Sequence, residues 1–250
     1  MKFALVDNNK TVAAKGLKGF CPICQKPVIP RCGLVKIPHW AHKRNTHCDK
    51  WWENETEWHR NWKNHFLEEW QEIVAIDDKT GEKHIADIRT NFGMVVEFQH
   101  SYITVEERVS RESFYKNMAW VVDGTRRKTD YIKFLNAFKY KAIWHIPKDV
   151  IWILDHGYSY LPTEWLNSRF PVFFDFQGLL DNPTNDIIRE RLWCLFPVRG
   201  NNINVLMDYP RDSFIDDIKG GGIQFKYDEI IKHANELIRL RNYRRRYGYY

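Results

Sequence analysis

The sequence contains no apolar run long enough to cross a bilayer, and the longest, such as Val150–Leu154, span only a few residues. The chain turns polar at Asp7, so we expect no secretory signal peptide and a cytoplasmic location. It also lacks a GxxxxGK[ST] phosphate loop, which argues against a nucleotide-driven motor. Internal repeats and low-complexity tracts are missing as well. With 44% hydrophobic residues and 11 Trp, 12 Tyr and 15 Phe, the 250 residues can build a sizeable core.

Charge is unevenly distributed along the chain. Residues 1–50 carry a net charge of +8 and residues 239–250 carry +5, which leaves −7 for residues 51–238 within the total of +6. A basic head and a basic tail around an acidic middle suit a protein that binds phosphates at its ends and metal ions at its centre. Ordinary solubilising charge is the alternative.

Cysteine is scarce, and four of the five cysteines fall between Cys21 and Cys48. In a cytosolic protein such clustering favours zinc over disulfides. The CxxC pair Cys21 and Cys24 and the HxxH pair His39 and His42 would complete a tetrahedral zinc set. Cys48 and Cys32 are reserve ligands, and His47 is a weaker one. A closed site of this kind is structural and replaces the core that so short a module cannot build. Free thiols beside unrelated histidines are the alternative.

Residues 49–73 contain no Gly or Pro, and large aromatic residues recur along them at gaps of seven and four. This spacing predicts a helix that packs an apolar stripe into the core. The stripe consists of Trp51, Trp58, Trp62, Phe66 and Trp70. Glu57 lies off the stripe, and His59 and Lys63 lie along its edge. Charged residues also commonly decorate a helix surface, so the helix alone does not define a site.

Two strands are predicted next, at Lys83–Thr90 and Met94–Ser101, with a turn at Asn91–Gly93. Asp87 and Glu97 each lie between two apolar residues of these strands. A carboxylate in an apolar strand is costly unless it is paired or binds metal. Carboxylate oxygens are the ligands that Mg²⁺ or Mn²⁺ requires, and such ions polarise phosphates. Two acids on the wet face of an antiparallel sheet are the alternative.

A helix predicted over about 104–118 places Arg108, Arg111 and Tyr115 on one face, since they are separated by three and four residues. These side chains would hold a DNA phosphate or orient the acids. Salt bridges to neighbouring glutamates are the alternative for Arg108. Further along, five strands and a final amphipathic helix are predicted: Ala119–Asp123, Val150–Leu154, Phe170–Phe174, Leu192–Val198, Ile203–Met207 and the helix Asp228–Leu240.

The order of these motifs between Phe20 and Asp123 resembles the competence protein CoiA-like family. The motifs are Cys21-x2-Cys24, His39-Trp40-Ala41-His42, Glu57-x-His59-x3-Lys63, Ala86-Asp87-Ile88, Glu97-Phe98-Gln99-x-Ser101, Arg111-x3-Tyr115 and Trp120-Val121-Val122-Asp123. That family joins a small zinc-ribbon-like N-terminal module to a nuclease domain of the restriction-endonuclease-like PD-(D/E)XK fold.

The resemblance implies roles for individual residues. Asp87 and Glu97 match the two metal-binding acids of that fold, and Glu57 matches the helix acid that completes the metal site. Gln99 stands where the fold usually has a lysine, so Lys63 or His59 would have to supply the water-activating group. Arg111-x3-Tyr115 is similar to the Gln-x3-Tyr element of exonuclease-like branches.

The residues and the resemblance together predict an α+β protein with a mixed sheet flanked by helices. The predicted domains are a zinc-ribbon-like module at 1–50, a nuclease domain at 51–220, and a C-terminal helix with a basic Arg/Tyr tail at 221–250. We expect a DNA nuclease that uses structural Zn²⁺ and catalytic Mg²⁺ or Mn²⁺, without a membrane partner. Two alternatives are a catalytically weak accessory that binds single-stranded DNA in recombination or DNA uptake, and a phage or bacterial defence nuclease. A homo-oligomer or protein partners in recombination or defence are further possibilities.

Overall fold

Tight turns separate short strands at the start of the chain. Asp7 and Asn8 adopt φ of 47° and 63°, the left-handed region that Asp and Asn tolerate, and the first two strands form a hairpin around them. A computed structural model describes residues 1–33, 36–43, 48–145, 151–178, 187–200, 203–221 and 223–247. The chain divides into two compact units, Met1–Ser101 and Tyr102–Tyr250. The domain limits expected from the sequence stay a prediction.

The first unit contains eight of the described strands and one α-helix. The strands are β1 (Phe3–Val6), β2 (Asn9–Val12), β3 (Gly19–Phe20), β4 (Pro27–Arg31), β5 (His39–His42), β6 (Gln71–Ile76), β7 (Lys83–Arg89) and β8 (Val95–Gln99), and the helix is α1 (Glu57–Asn64). The first five form an antiparallel sheet in the order β2-β1-β3-β4-β5. Strand β7 pairs antiparallel with both β6 and β8.

The second unit is a mixed α/β assembly. Its strands are β9 (Met118–Asp123), β10 (Ile143–His145), β11 (Trp152–Asp155), β12 (Val172–Asp175), β13 (Arg191–Gly200) and β14 (Ile203–Pro210). Its helices are α2 (Val105–Tyr115), α3 (Lys128–Lys139), α4 (Ile187–Glu190), α5 (Arg211–Gly220) and α6 (Ile223–Tyr247). The strands neighbour one another in the order β10-β11-β14-β13-β12-β9, with β9 and β12 parallel and the other pairs antiparallel.

The α+β class predicted from the sequence, with a large mixed sheet flanked by helices, is therefore confirmed. All six residues of β9 are buried. In the described part of the chain, no helix combines the length and the apolarity that crossing a bilayer requires.

The aromatic stripe of residues 49–73 does enter the core, but the long helix predicted for it is wrong. All five aromatic residues of the stripe are buried. Only Glu57–Asn64 is α-helical, because Thr56 caps its N-terminus and the chain leaves the helix after His65. From Gln71 onward the same segment is strand β6, in which Glu72 has a φ of 46°.

Candidate zinc and acidic sites

The Cys/His module gathers four metal-binding side chains at one point of the first unit. The CxxC pair lies in the turn between β3 and β4, where Gln25 donates its N–H to the Cys21 carbonyl at 2.9 Å. One ligand atom from each of Cys21, Cys24, His42 and Cys48 lies within 4.8 Å of the others. Tetrahedral zinc–thiolate geometry needs ligand atoms about 3.8 Å apart, and the Cys21 and Cys48 Sγ atoms are 3.5 Å apart. This Cys₃His set fits zinc.

The HxxH spacing predicts that His39 joins His42 in the zinc set, and the structure corrects this pairing. Both residues lie on β5, and residues three positions apart on a strand point to opposite faces. The His42 Nε2 lies 3.4 Å from the Cys48 Sγ. The His39 Nδ1 instead lies 2.9 Å from the Ile37 carbonyl oxygen. Cys48, expected only as a reserve ligand, therefore completes the set.

Burial opposes the ionisation of all three thiols, but at Cys24 hydrogen bonds, above all to the Lys26 backbone, outweigh it and lower the pKa. Burial raises the pKa of Cys21 and of Cys48. Zinc binds thiolates, so zinc has to displace these protons and binds more weakly as the pH falls. A small apolar cluster supports the ligands: Ala4, Ala13, Cys21, Val28 and Trp40.

Asp87 on β7 and Glu97 on β8 face each other across the two strands. The ladder pairs Ile88 with Val96, and continuing this register places Asp87 opposite Glu97. There each carboxylate accepts an N–H from the other strand: Asp87 donates to Glu97 Oε1 at 3.2 Å, and Phe98 donates to Asp87 Oδ2 at 3.0 Å. The structure thus brings the two predicted acids together on one face.

Lys63, in the last turn of α1, is buried among three carboxylates. Its Nζ lies 2.9 Å from Glu55 Oε1, 2.8 Å from Glu72 Oε1 and 3.8 Å from Asp87 Oδ1. Burial by itself would lower the pKa of Lys63, but the carboxylates raise it above its ordinary value. Lys63 in turn lowers the pKa of Glu55 and Glu72 against the effect of burial. Burial dominates at Asp87 and raises its pKa, although Lys63 acts in the opposite direction.

Glu72 is fixed by the first strand of the chain. The N–H groups of Lys2 and Phe3 donate to Glu72 Oε1 and Oε2 at 2.7 and 3.0 Å. The Lys2 Nζ donates to Asn64 Oδ1 and Gln71 Oε1, both at 2.8 Å. Strand β1 therefore fixes the carboxylate that holds Lys63 next to Asp87.

Glu53, just before α1, is the centre of a second group of contacts. Its carboxylate accepts hydrogen bonds from Gln99 Nε2 at 3.0 Å, from the Ser101 N–H at 3.3 Å and from the Ser101 hydroxyl. His59 Nε2 also contacts it. Thr56 donates its N–H to His59 Nδ1 at 3.3 Å, so His59 Nε2 carries the proton that it donates to Glu53.

Three of these acids were not singled out from the sequence. Glu72 carries the same signal as Asp87, a carboxylate within an apolar strand, but the segment is interpreted as helix. Glu53 and Glu55 lie in the irregular chain before Thr56, where the helical periodicity expected for residues 49–73 does not apply. Glu57, expected as the third metal-binding acid, is exposed at the first position of α1.

In the second unit, the arginines expected to contact phosphate are engaged in ion pairs along α2. Arg108 is only 1% exposed and pairs with Glu112. Arg111 is also buried, and its Nε donates to Glu107 Oε1 at 3.1 Å. Tyr115 ends α2 half-buried, with its ring against that of Phe114. Arg108 and Arg111 therefore form ion pairs with Glu112 and Glu107 in this structure, and their contact with phosphate stays a prediction.

Comparison with known proteins identifies one part of the chain. No curated protein and no solved structure matches the chain. Residues 6–50, which contain all four ligands of the Cys/His module, match the family model described as Competence protein CoiA, N-terminal domain. This match supports a CoiA-like family assignment and covers the N-terminal domain alone.

Proposed function

We propose that this protein is a metal-dependent nuclease that hydrolyses phosphodiester bonds of DNA, with Asp87 and Glu97 holding Mg²⁺ or Mn²⁺. The observation that carries the proposal is the juxtaposition of these two carboxylates on adjacent strands, beside a buried lysine. The match of residues 6–50 suggests a role related to competence, and it is consistent with DNA as the substrate.

The carboxylates of Asp87 and Glu97, the acid pair, are suitable ligands for a hard cation. Mg²⁺ in enzymes is commonly bound by one or two carboxylates and retains several waters, which leaves positions for a phosphate. Two carboxylates are therefore sufficient, and exposed Glu57 as a third ligand stays a prediction. A bound Mg²⁺ or Mn²⁺ would polarise the phosphate and acidify a bound water.

Lys63 and His59, which lie near Asp87 and Glu97, have electrostatic and positioning roles in this proposal. Lys63 does not act as a base in this arrangement, because three carboxylates raise its pKa and keep it protonated. Its charge instead reduces the repulsion between Asp87 and the neighbouring acids. His59 donates its Nε2 proton to Glu53, so its tautomer is fixed and Nδ1 is engaged with Thr56. We therefore assign to Lys63 and His59 the positioning of charge rather than proton abstraction.

The test is cleavage of plasmid and single-stranded DNA with Mg²⁺ or Mn²⁺ by the wild type and by Asp87→Asn and Glu97→Gln. Each substitution removes one anionic ligand without changing the shape of the side chain, and we expect cleavage to fall by about a hundredfold or more. Asp78→Asn, on an exposed turn residue, is the matched control and should cleave like the wild type. Undiminished cleavage by both site variants would refute the proposal.

A DNA-binding accessory without strong catalysis is the second candidate. Two observations favour it: position 99 is Gln rather than Lys, and the Lys63 ammonium is held by Glu55 and Glu72. Salt-sensitive DNA binding without cleavage, across Mg²⁺, Mn²⁺ and Ca²⁺, would select this function instead of hydrolysis.

A further inference from the structure

Gln99 carries a buried oxygen atom that its surroundings leave unsatisfied. The side chain is only 2% exposed. Its Nε2 donates to Glu53 Oε2 at 3.0 Å and to the Ser101 carbonyl at 3.1 Å. Its Oε1 is buried, and no hydrogen-bond donor from the described residues reaches it. Buried acceptors are almost always paired, so this atom calls for a partner that is not part of the described chain.

The direction of the Gln99 amide follows from the chemistry of its neighbours. An ionised carboxylate and a carbonyl oxygen only accept hydrogen bonds, so the NH₂ group has to face Glu53 and Ser101. The reversed amide would place an oxygen against both acceptors and lose every one of these hydrogen bonds. Glu53 therefore determines which way the Gln99 oxygen points.

That oxygen belongs to the strand face that carries the acid pair. Glu97 and Gln99 are two residues apart on β8, so their side chains project from the same face, with α-carbons about 7 Å apart. Asp87 lies opposite Glu97 on β7. The face thus presents three oxygen ligands for a cation. Two are the carboxylates of Asp87 and Glu97, and the third is the uncharged amide oxygen of Gln99, which accepts no hydrogen bond from the described residues.

We propose that Gln99 Oε1 is a third, neutral oxygen ligand for the divalent cation that Asp87 and Glu97 bind, with Glu53 as the positioning residue that aims it. This inference rests on the proposed function. Amide oxygens are ordinary ligands of hard cations, and they add no charge to a site already rich in carboxylates. Gln99 then has a role different from that of a lysine at the same position, because it binds the cation and does not repel it.

The test measures Mn²⁺ affinity by electron paramagnetic resonance on the full-length, zinc-loaded protein. Gln99→Leu removes the oxygen at similar size, and we expect Mn²⁺ affinity to fall at least tenfold. Gln71→Leu is the matched control, since Gln71 is also a buried glutamine on a strand of this unit but its Oε1 is occupied by Lys2. Gln71→Leu and Asp78→Asn should bind Mn²⁺ like the wild type, since Asp78 is an exposed turn residue.

A second variant keeps the proposal testable if Gln99→Leu fails to fold. The double substitution E53Q/Q99E exchanges the amide and the carboxylate, which preserves the net charge and the hydrogen bond between the two positions. Because position 99 now offers an anionic oxygen, Mn²⁺ should bind at least as tightly as to the wild type. Weaker binding by the exchanged pair, or unchanged binding by a folded Gln99→Leu variant, overturns the ligand role.

The outcomes for Gln99 and for the acid pair are separable. If Asp87→Asn and Glu97→Gln lose Mn²⁺ while Gln99→Leu retains it, the inference fails and the proposed function stands. If the acid-pair variants also bind Mn²⁺ like the wild type, both fail. The expected pattern is loss in all three site variants and retention in the two controls.

Discussion

Lys63 is the residue on which the buried charges of the first unit converge. Its ammonium group contacts Glu55 and Glu72 closely and Asp87 at a longer distance. Lys63 is only 2% exposed, so these ion pairs are buried. Removing one partner of a buried ion pair leaves an uncompensated charge, which costs about 3–5 kcal/mol of folding free energy. The geometry therefore makes Lys63 a structural requirement before it is a functional one.

We predict that Lys63→Met destabilises the protein by about 3–5 kcal/mol at neutral pH, as measured by urea denaturation. Lys50→Met is the control, because Lys50 and Glu82 form an ion pair whose side chains are 57% and 41% exposed. Solvent screens an exposed pair of this kind, so its loss should change the free energy of unfolding far less than the loss of Lys63. Equal losses for the two variants would contradict the view that Lys63 balances buried acids.

The same network predicts how this loss depends on pH. Lys63 lowers the pKa of Glu55 and Glu72 in the folded protein below the ordinary value of 4.5. Their stabilising contribution is thus complete above that value and is lost as the pH falls through the folded-state pKa. The difference in unfolding free energy between wild type and Lys63→Met should therefore shrink as the pH is lowered below 4.5. A difference that grows with acidification would contradict the assignment.

The role of a single residue can be predicted from the sequence where its side chain interrupts the local pattern of apolar residues. Asp87 and Glu97 interrupt apolar strands, and the alternation of side chains along each strand assigns each acid to a face. The partners of Lys63 are not predictable in this way, because Glu72 reaches it only through a strand in place of the expected helix. Glu53 reaches Gln99 across a large separation in sequence, which no local periodicity records.

At the scale of elements, strand β5 shows how one backbone conformation decides a ligand set. A gap of two residues brings both members of a pair to one ion in a turn, as it does for Cys21 and Cys24. On a strand the same gap separates His39 from His42, because the side chains alternate. The spacing correctly indicates a metal site, but only the secondary structure around it decides which histidine belongs to that site.

Zinc content after exhaustive dialysis tests this ligand set. We predict that Cys48→Ser loses bound zinc or binds it at least tenfold more weakly, because only three ligands remain. His39→Ala should retain one zinc per chain, since His39 lies outside the cluster. Zinc loss in His39→Ala together with retention in Cys48→Ser would restore the HxxH pairing.

The aromatic stripe of residues 49–73 makes a related point about elements. The spacing of its five aromatic residues correctly predicts that they are buried. A helix, however, is only one of the backbone conformations that can bury residues at this spacing. The 3₁₀ turn Glu68–Trp70 and the left-handed Glu72 redirect the chain into β6. The strands predicted in the second half of the chain fared better: β9, β11, β12, β13 and β14 all lie at or within two or three residues of the expected apolar runs. Apolar runs of five to seven residues have the length of strands and are too short for most helices.

For the whole molecule, the N-terminal module and the acid pair are parts of one network inside the first unit. The N–H groups of Lys2 and Phe3 hold Glu72, Glu72 holds Lys63, and Lys63 lies beside Asp87. A domain boundary at residue 50 places Lys2 and Phe3 in a different domain from Glu72. The sequence does not reveal the contacts between them, because they join residues about seventy positions apart. Folding of the module therefore contributes directly to the charge balance of the acidic site.

The uneven charge of the whole chain leads to a prediction about DNA binding. The last residues include Arg241, Arg244, Arg245 and Arg246, and no acid accompanies them. Each phosphate contact changes the slope of log affinity against log salt concentration by about 0.7 to 0.9. Deletion of residues 241–250 should therefore weaken DNA binding at low salt and reduce this slope by about that amount for every arginine that contacts a phosphate.

Deletion of residues 248–250 alone provides the control, because Gly248, Tyr249 and Tyr250 carry no charged side chain. It should leave both the affinity and the salt slope unchanged in fluorescence-anisotropy titrations over a range of salt concentrations. If the longer deletion also leaves the slope unchanged, the C-terminal arginines do not contact DNA. The basic N-terminal residues 1–50, whose net charge is +8, are then the next expected source of the electrostatic part of the proposed DNA binding.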